Sequence, residues 1–177
     1  MPDAPHLPGD IQLTRMADPG GTIIRVLQGL DGTGFAKFEH ARVYLGSNEF
    51  AEAMPNGAVT AVHLPLDSPD TEWDSGLYLL TPGQREATVA AARGYVERGT
   101  GYNWWDYGSL VLKHFHIRPA FVLHRIESTT SMICSQLAAR CRYDGGAPFW
   151  DGWTGDCTPG DIHQLIRARQ QKAAARP

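Results

Sequence analysis

Apolar and polar residues alternate in short runs through the first half of the chain. The clearest run is 38–45, which has the period of two expected for a strand with one buried face. The two sides of this strand are Ala41, Val43 and Leu45 against His40, Arg42 and Tyr44. Turn residues separate it from the runs 49–53 and 58–64. The pattern therefore predicts an antiparallel meander of three strands.

Other parts of the chain carry helix signals. Thr81 before Pro82 and Thr158 before Pro159 are typical of helix starts, with threonine as the N-cap. Helices are predicted over residues 22–30, 81–98 and 103–115, from 128–130 to 142, and from 158 onward. Shorter elements are predicted at 9–14 and 77–80, as strands, and at 65–76, as a surface loop. The elements together predict an α+β fold, in which helices pack on one antiparallel sheet.

The chain has 177 residues, of which 42% are apolar and 20% charged, and its net charge is −3. This size and composition fit a single globular domain, which we place at residues 1–166. Residues 167–177 form a basic segment without acidic residues, and we interpret it as a flexible tail. The body of the protein is therefore acidic, which argues against nucleic acid as a partner, because phosphate binding needs a basic surface.

The sequence carries no targeting or membrane signal that we recognise. No apolar run approaches the ~20 residues that a membrane span needs. The first residues have neither the basic start nor the apolar stretch of a signal peptide. We expect no membrane span and synthesis for the cytoplasm, with release by lysis or by a dedicated export system left open.

The three cysteines are Cys134, Cys141 and Cys157. An odd number excludes a complete disulfide framework, and no CxxC pair indicates a zinc site. Reduced thiols are the simpler interpretation, and a Cys141–Cys157 bridge stays open. The histidines within 114–124 lack the spacing of ligands on one helix face, so we expect no metal and no cofactor.

Cys134 is the strongest candidate for chemistry. A cap at Ser128, Thr129 or Thr130 would place it near the start of its helix, where the helix dipole favours a thiolate. A neighbouring imidazole could serve as its proton shuttle. The alternative is a small buried residue on the apolar face that also carries Leu137.

His40 and Glu52 offer the rest of a catalytic triad. If the loop between their strands at 46–48 has an odd length, the two residues share a face of the hairpin. A carboxylate there can orient the imidazole and hold its tautomer. A loop of even length would send Glu52 to the other face.

Five short motifs follow one another along the chain, and together they resemble a known family. The motifs are Pro8-Gly9-Asp10-Ile11, His40-Ala41-Arg42-Val43-Tyr44-Leu45-Gly46 with Phe50-Ala51-Glu52-Ala53, Gly101-Tyr102-Asn103, Cys134-Ser135-Gln136-Leu137 and Thr158-Pro159-Gly160-Asp161-Ile162. The histidine hairpin resembles that of NlpC-type papain-like peptidases. Because the histidine precedes the cysteine, the order resembles the circularly permuted branch, the YiiX-like papain-like amidases and the relatives of lecithin retinol acyltransferase. The resemblance spans residues 8–163.

The resemblance implies a permuted papain-like fold and an acyl-enzyme mechanism. Cys134 would attack a carbonyl, His40 would relay the proton, and Glu52 would orient His40. Tyr102 would add a hydroxyl to the oxyanion or substrate site. Two positions depart from the family: Gln136 stands where glutamate is common, and Arg42 stands where glycine is common. Arg42 would bring a charge to the cleft and is therefore a substrate-binding candidate.

The leading functional expectation is a cysteine peptidase or amidase that cleaves an amide bond. Peptidoglycan stem peptides are the leading substrate class, because the resemblance extends to cell-wall peptidases. A lipid-directed acyltransferase or thioesterase is a second expectation, with an acyl substrate as the partner. A non-catalytic binding domain on the same fold is the third, and the oligomeric state stays open.

Overall fold

A computed structural model describes residues 4–16, 29, 37–54, 59–66, 69–102, 132–152 and 154–175. The strands are β1 (Ile11–Thr14), β2 (His40–Gly46), β3 (Glu49–Ala53), β4 (Val59–His63) and β5 (Thr71–Trp73). The helices are α1 (Pro82–Glu97), α2 (Cys134–Asp144) and α3 (Pro159–Ala174), with a short 3₁₀ helix at Thr154–Asp156. The predicted helices at 22–30 and 103–115 fall outside the described residues, apart from Gly29.

The five strands form one antiparallel sheet in the order β4-β3-β2-β1-β5. The predicted meander is confirmed as β2-β3-β4, and the predicted first strand is confirmed as β1. The predicted loop at 65–76 is wrong in part, because β5 adds to the free edge of β1, where Leu13 pairs with Glu72. A strand of three residues is too short to show an alternating pattern.

The predicted strand at 77–80 is wrong. The amide of Leu77 donates to the carbonyl of Asp74, and the amide of Leu80 donates to that of Tyr78, so the chain turns here instead of pairing with the sheet. Leu79 is 95% exposed. The apolar side chain of Leu79 therefore does not mark a buried strand position.

One face of the sheet packs against α1 and α2, which confirms the α+β class. Ala41 and Val43 of β2 lie in the same buried cluster as Leu137 and Ala138 of α2. Residues of β2 with even numbers, from His40 to Tyr44, point away from this cluster because side chains alternate along a strand. The sheet therefore has an apolar face under the helices and a second face that carries Arg42. His40 is the first residue of β2, at the end of the strand, where its ring also reaches the first residue of α2.

The helix starts are set by local chemistry. Thr81 and Thr158 accept hydrogen bonds from the amides of Gln84 and Asp161, so both predicted N-caps are confirmed. The last helix runs on to Ala174, so residues 167–174 of the segment that we separated as a tail continue α3. None of the described helices has the length and apolar character of a membrane-crossing segment.

Candidate active site

The β2–β3 hairpin decides whether Glu52 reaches the face of His40. Gly46 pairs with Glu49 across a loop of Ser47 and Asn48, whose φ angles are 53° and 61°. The loop of odd length predicted at 46–48 is therefore wrong, and a two-residue loop alone would have turned Glu52 away.

A bulge restores the pairing. The register shifts between Tyr44 and Gly46, so that Tyr44 pairs with Phe50 and Val43 with Ala51. The extra residue on β2 reverses the effect of the even loop, because each one-residue shift moves a side chain to the other face. Glu52 thus lies on the face that carries His40 and Arg42.

The three side chains on this face are joined through one oxygen atom. Nε2 of His40 lies 3.0 Å from Oε2 of Glu52, and Nε of Arg42 donates to the same oxygen at 2.6 Å. From the neighbouring strand, Oε1 of Gln12 accepts a longer bond of 3.5 Å from Arg42. The His40 side chain is 1% exposed and that of Glu52 is 8% exposed, so these polar contacts are shielded from water.

Cys134 is the first residue of α2, and the sequence placed it correctly near a helix start. The predicted caps at 128–130 are wrong, because the N-cap is Ile133. Cys134 is buried, and its side chain is a hydrogen-bond partner of the His40 ring.

The surroundings of His40 favour its charged form. Burial by itself lowers the pKa of His40, but the charge and hydrogen bond of Cys134, followed by those of Glu52, raise the pKa to about 9. A histidine with a raised pKa stays charged at neutral pH and can stabilise a neighbouring thiolate. Burial also tends to raise the pKa of Glu52, and His40 and then Arg42 outweigh it, so the Glu52 pKa is lowered.

Two side chains that follow Cys134 anchor its end of the helix. Oε1 of Gln136 accepts from the amide of Ile133 at 3.0 Å, and Nε2 of Gln136 donates to the carbonyl of Gly155 at 2.7 Å. Oγ of Ser135 donates to the carbonyl of Cys157 at 2.6 Å. A glutamate at 136 could accept the first bond but could not donate the second. Glutamine at position 136 therefore has a local structural reason.

Arg42 and Tyr102 were candidates for substrate or oxyanion binding. The guanidinium of Arg42 forms an ion pair with Glu52 and therefore does not project into an open cleft. Tyr102 is half-buried and packs against the core, and the adjacent Gly101 accepts a 2.9 Å bond from the amide of Met132, two residues before Cys134. An oxyanion role for Tyr102 stays a prediction.

The other two thiols have a different environment. Cys141 and Cys157 are free and buried, so the bridge left open by the sequence is not formed. Burial raises the pKa of both thiols well above the ordinary value. Among the three cysteines, Cys134 has a histidine beside it and the others are buried small residues.

The sequence did not point to Gln12 as a member of the site. It lies in β1 between the buried Ile11 and Leu13 and is itself 1% exposed. The sequence did carry a signal, a glutamine between two apolar residues of a strand. A buried side-chain amide needs hydrogen-bond partners, so this pattern predicts a polar neighbour. In the described ranges, no group of three His, Cys, Asp or Glu side chains is arranged to hold a metal ion, and the histidines within 114–124 lie outside those ranges.

No protein-family model, curated protein or solved structure matches this chain.

Proposed function

We propose that the protein is a cysteine hydrolase that cleaves an amide bond through a Cys134–His40–Glu52 triad. The observation that carries the proposal is that the His40 ring contacts both Cys134 and, at 3.0 Å from Nε2, the carboxylate of Glu52. These residues come from α2, β2 and β3, so three separate elements bring a nucleophile, a base and an orienting acid together. This is the arrangement that acyl-transfer chemistry needs.

The reaction would begin with attack of the Cys134 thiolate on the substrate carbonyl carbon. The amide of Cys134, at the first position of α2, would donate to the developing oxyanion, because N–H groups there point out of the helix. The His40 imidazolium would give its proton to the leaving amine. The neutral ring would then take a proton from water, which attacks the thioester and releases the acid and the Cys134 thiolate.

The fold proposed for this mechanism is permuted papain-like. Its support is the chain order, in which the histidine hairpin precedes the cysteine helix, together with the antiparallel sheet under that helix. Peptidoglycan stem peptides are the proposed substrates, and this part rests on the family resemblance of the motifs around His40 and Cys134.

The test is to trap the acyl-enzyme. The protein is incubated with stem-peptide amides and, in a separate arm, with an acyl-ester lipid, and intact-mass spectrometry follows each adduct. We expect a thioester on Cys134 in the peptide arm, with release of the amine. Cys134→Ala should abolish it, whereas Cys141→Ala, a second buried thiol of the same helix, should keep it.

An adduct in the lipid arm alone would replace the peptidase with an acyltransferase or thioesterase. Retained turnover in Cys134→Ala would remove the thiol mechanism. No adduct and no turnover in either arm would favour a non-catalytic binding domain.

A further inference from the structure

Arg42 shares its carboxylate partner with the histidine of the site, and this arrangement has a chemical consequence. Oε2 of Glu52 accepts from Arg42 at 2.6 Å and lies 3.0 Å from Nε2 of His40. Arginine nitrogens are donors only and remain protonated in proteins, so the oxygen that accepts this short bond is held deprotonated. A deprotonated oxygen can only accept, and Nε2 of His40 must then carry the hydrogen.

We propose that Arg42 is a positioning residue that fixes the neutral tautomer of His40 through Glu52. With the hydrogen kept on Nε2, the other ring nitrogen, Nδ1, is the one that loses its proton when the ring becomes neutral. The inference rests on the proposed function, because the tautomer of His40 matters only if His40 serves the thiol.

The sheet holds Arg42 in place for this role. Its register puts Arg42 between Gln12 in β1 and Glu52 in β3, and Gln12 is its paired residue. The Arg42 side chain is 19% exposed and is therefore mostly withdrawn from water. The backbone pairing of the strands holds the Cα atoms of Arg42 and Glu52 side by side, so the guanidinium reaches Glu52 without any change of the backbone.

A permanent charge is needed because the charge of His40 changes during the reaction. When His40 gives up its proton, Glu52 loses one of its two cationic partners while it remains buried. A buried carboxylate without a cation tends to take up a proton. Thr60, which pairs with Glu52 across β4, is neutral, and the charge of Arg42 does not depend on the reaction step.

The test reads the tautomer directly by NMR. Long-range ¹H–¹⁵N spectra of the labelled protein are recorded above the pH at which His40 deprotonates, with His40→Ala for assignment. We expect wild-type His40 to carry its hydrogen on Nε2. In Arg42→Gln the ratio of the two neutral forms should fall by about tenfold, the loss of one charge-assisted hydrogen bond. Arg42→Lys, which keeps the positive charge, should keep most of the wild-type ratio of the two neutral forms.

Arg93→Gln is the matched control. Arg93 also donates to a glutamate of β3, Glu49, at 2.6 Å, but its side chain is 47% exposed and the pair lies apart from His40. We expect this variant to leave the His40 tautomer unchanged. A hydrogen on Nδ1 in the wild type, or an unchanged ratio in Arg42→Gln, would overturn the inference.

The readout needs no substrate, so it is separate from the test of the proposed function. Acylation of Cys134 together with an unchanged tautomer in Arg42→Gln would leave the hydrolase and remove the role of Arg42. The expected tautomer shift without any acylation would leave the role of Arg42 on His40 and remove the hydrolase.

Discussion

The two ends of α2 carry buried polar clusters that pair carboxylates with arginine but differ in what they can do. At the first residue, Cys134 meets His40, Glu52 and Arg42. In the last turn, the fully buried Arg142 pairs with Asp74, which also accepts from the amide of Ile11 at 2.7 Å. Both ends suit the helix dipole, which favours an anion at the start and a cation at the end.

The two carboxylates respond to burial in opposite directions. Burial raises the pKa of Asp74 to about 6; Arg142 lowers it only in part, and the nearby Asp10 raises it further. The pKa of Glu52 is lowered, because His40 and Arg42 both act on it. One arginine is therefore not enough to offset desolvation at Asp74, while two cations are enough at Glu52. The cluster with Cys134 favours separated charges, which the proposed chemistry requires.

The largest expected effect is at the Cys134 end of α2. His40→Ala should reduce turnover of a cleaved amide by about 10⁴-fold, the upper range for loss of a general acid–base. We expect the urea midpoint to change far less than in any variant of Arg142. Turnover within tenfold of the wild type would remove His40 from the mechanism.

The next effect is on stability at the other end of α2. Arg142→Met should lower the free energy of unfolding by about 3–5 kcal/mol, because it leaves Asp74 buried without its cation. Urea denaturation measures it. Arg140→Met is the control, since Arg140 pairs with Asp144 in a more exposed position and should cost less than about 1 kcal/mol. Equal losses in the two variants would contradict a structural role for the buried pair.

A smaller effect is expected at Gln136, which anchors the Cys134 end. Gln136→Glu should cost about 1–3 kcal/mol, because a carboxylate cannot donate to the buried carbonyl of Gly155. Gln84→Glu is a close control: Gln84 caps α1 in the same way and donates to the carbonyl of Gly146 at 2.8 Å, but it is exposed to water. Thermal denaturation of both variants should show the loss at Gln136 alone.

The smallest effect is a pH trend that separates the two carboxylates. Because the Asp74 pKa is raised, its contribution to stability is present below its ordinary value of 3.8 and is lost as pH rises through about 6. Asp74→Asn should therefore gain stability relative to the wild type as pH rises across this window. Glu52→Gln should show the reverse: its stability relative to the wild type should fall as pH rises. The reason is that the lowered pKa of Glu52 stabilises the wild-type fold at higher pH. Parallel curves for the two variants would refute the difference.

Local sequence patterns predicted the meander and the two threonine-capped helices, because alternation and capping are properties of neighbouring residues. They did not predict the register of the hairpin. The even loop and the bulge before Gly46 each reverse the face of Glu52, and their combination depends on the pairing of whole strands.

The cluster of Arg142 was not predicted for a related reason. Asp74 and Arg142 are separated by 68 positions, and Asp74 follows a strand too short to recognise. Nothing near Arg142 distinguishes it from a surface arginine at a helix end. Pairs of this kind are set by tertiary packing, whereas Cys134 and His40 could be nominated because few residue types perform nucleophilic chemistry.

An NMR titration of the His40 ring shows whether Cys134 and His40 form a charged pair. We expect a wild-type pKa of about 9 and a marked fall in Cys134→Ala, where burial is no longer opposed by the cysteine. The positive charge on His40 should be lost as pH rises through about 9, because the raised pKa marks a stabilised imidazolium. A wild-type His40 that titrates at or below the ordinary histidine pKa of 6.5, with no change in Cys134→Ala, would rule out the charged pair.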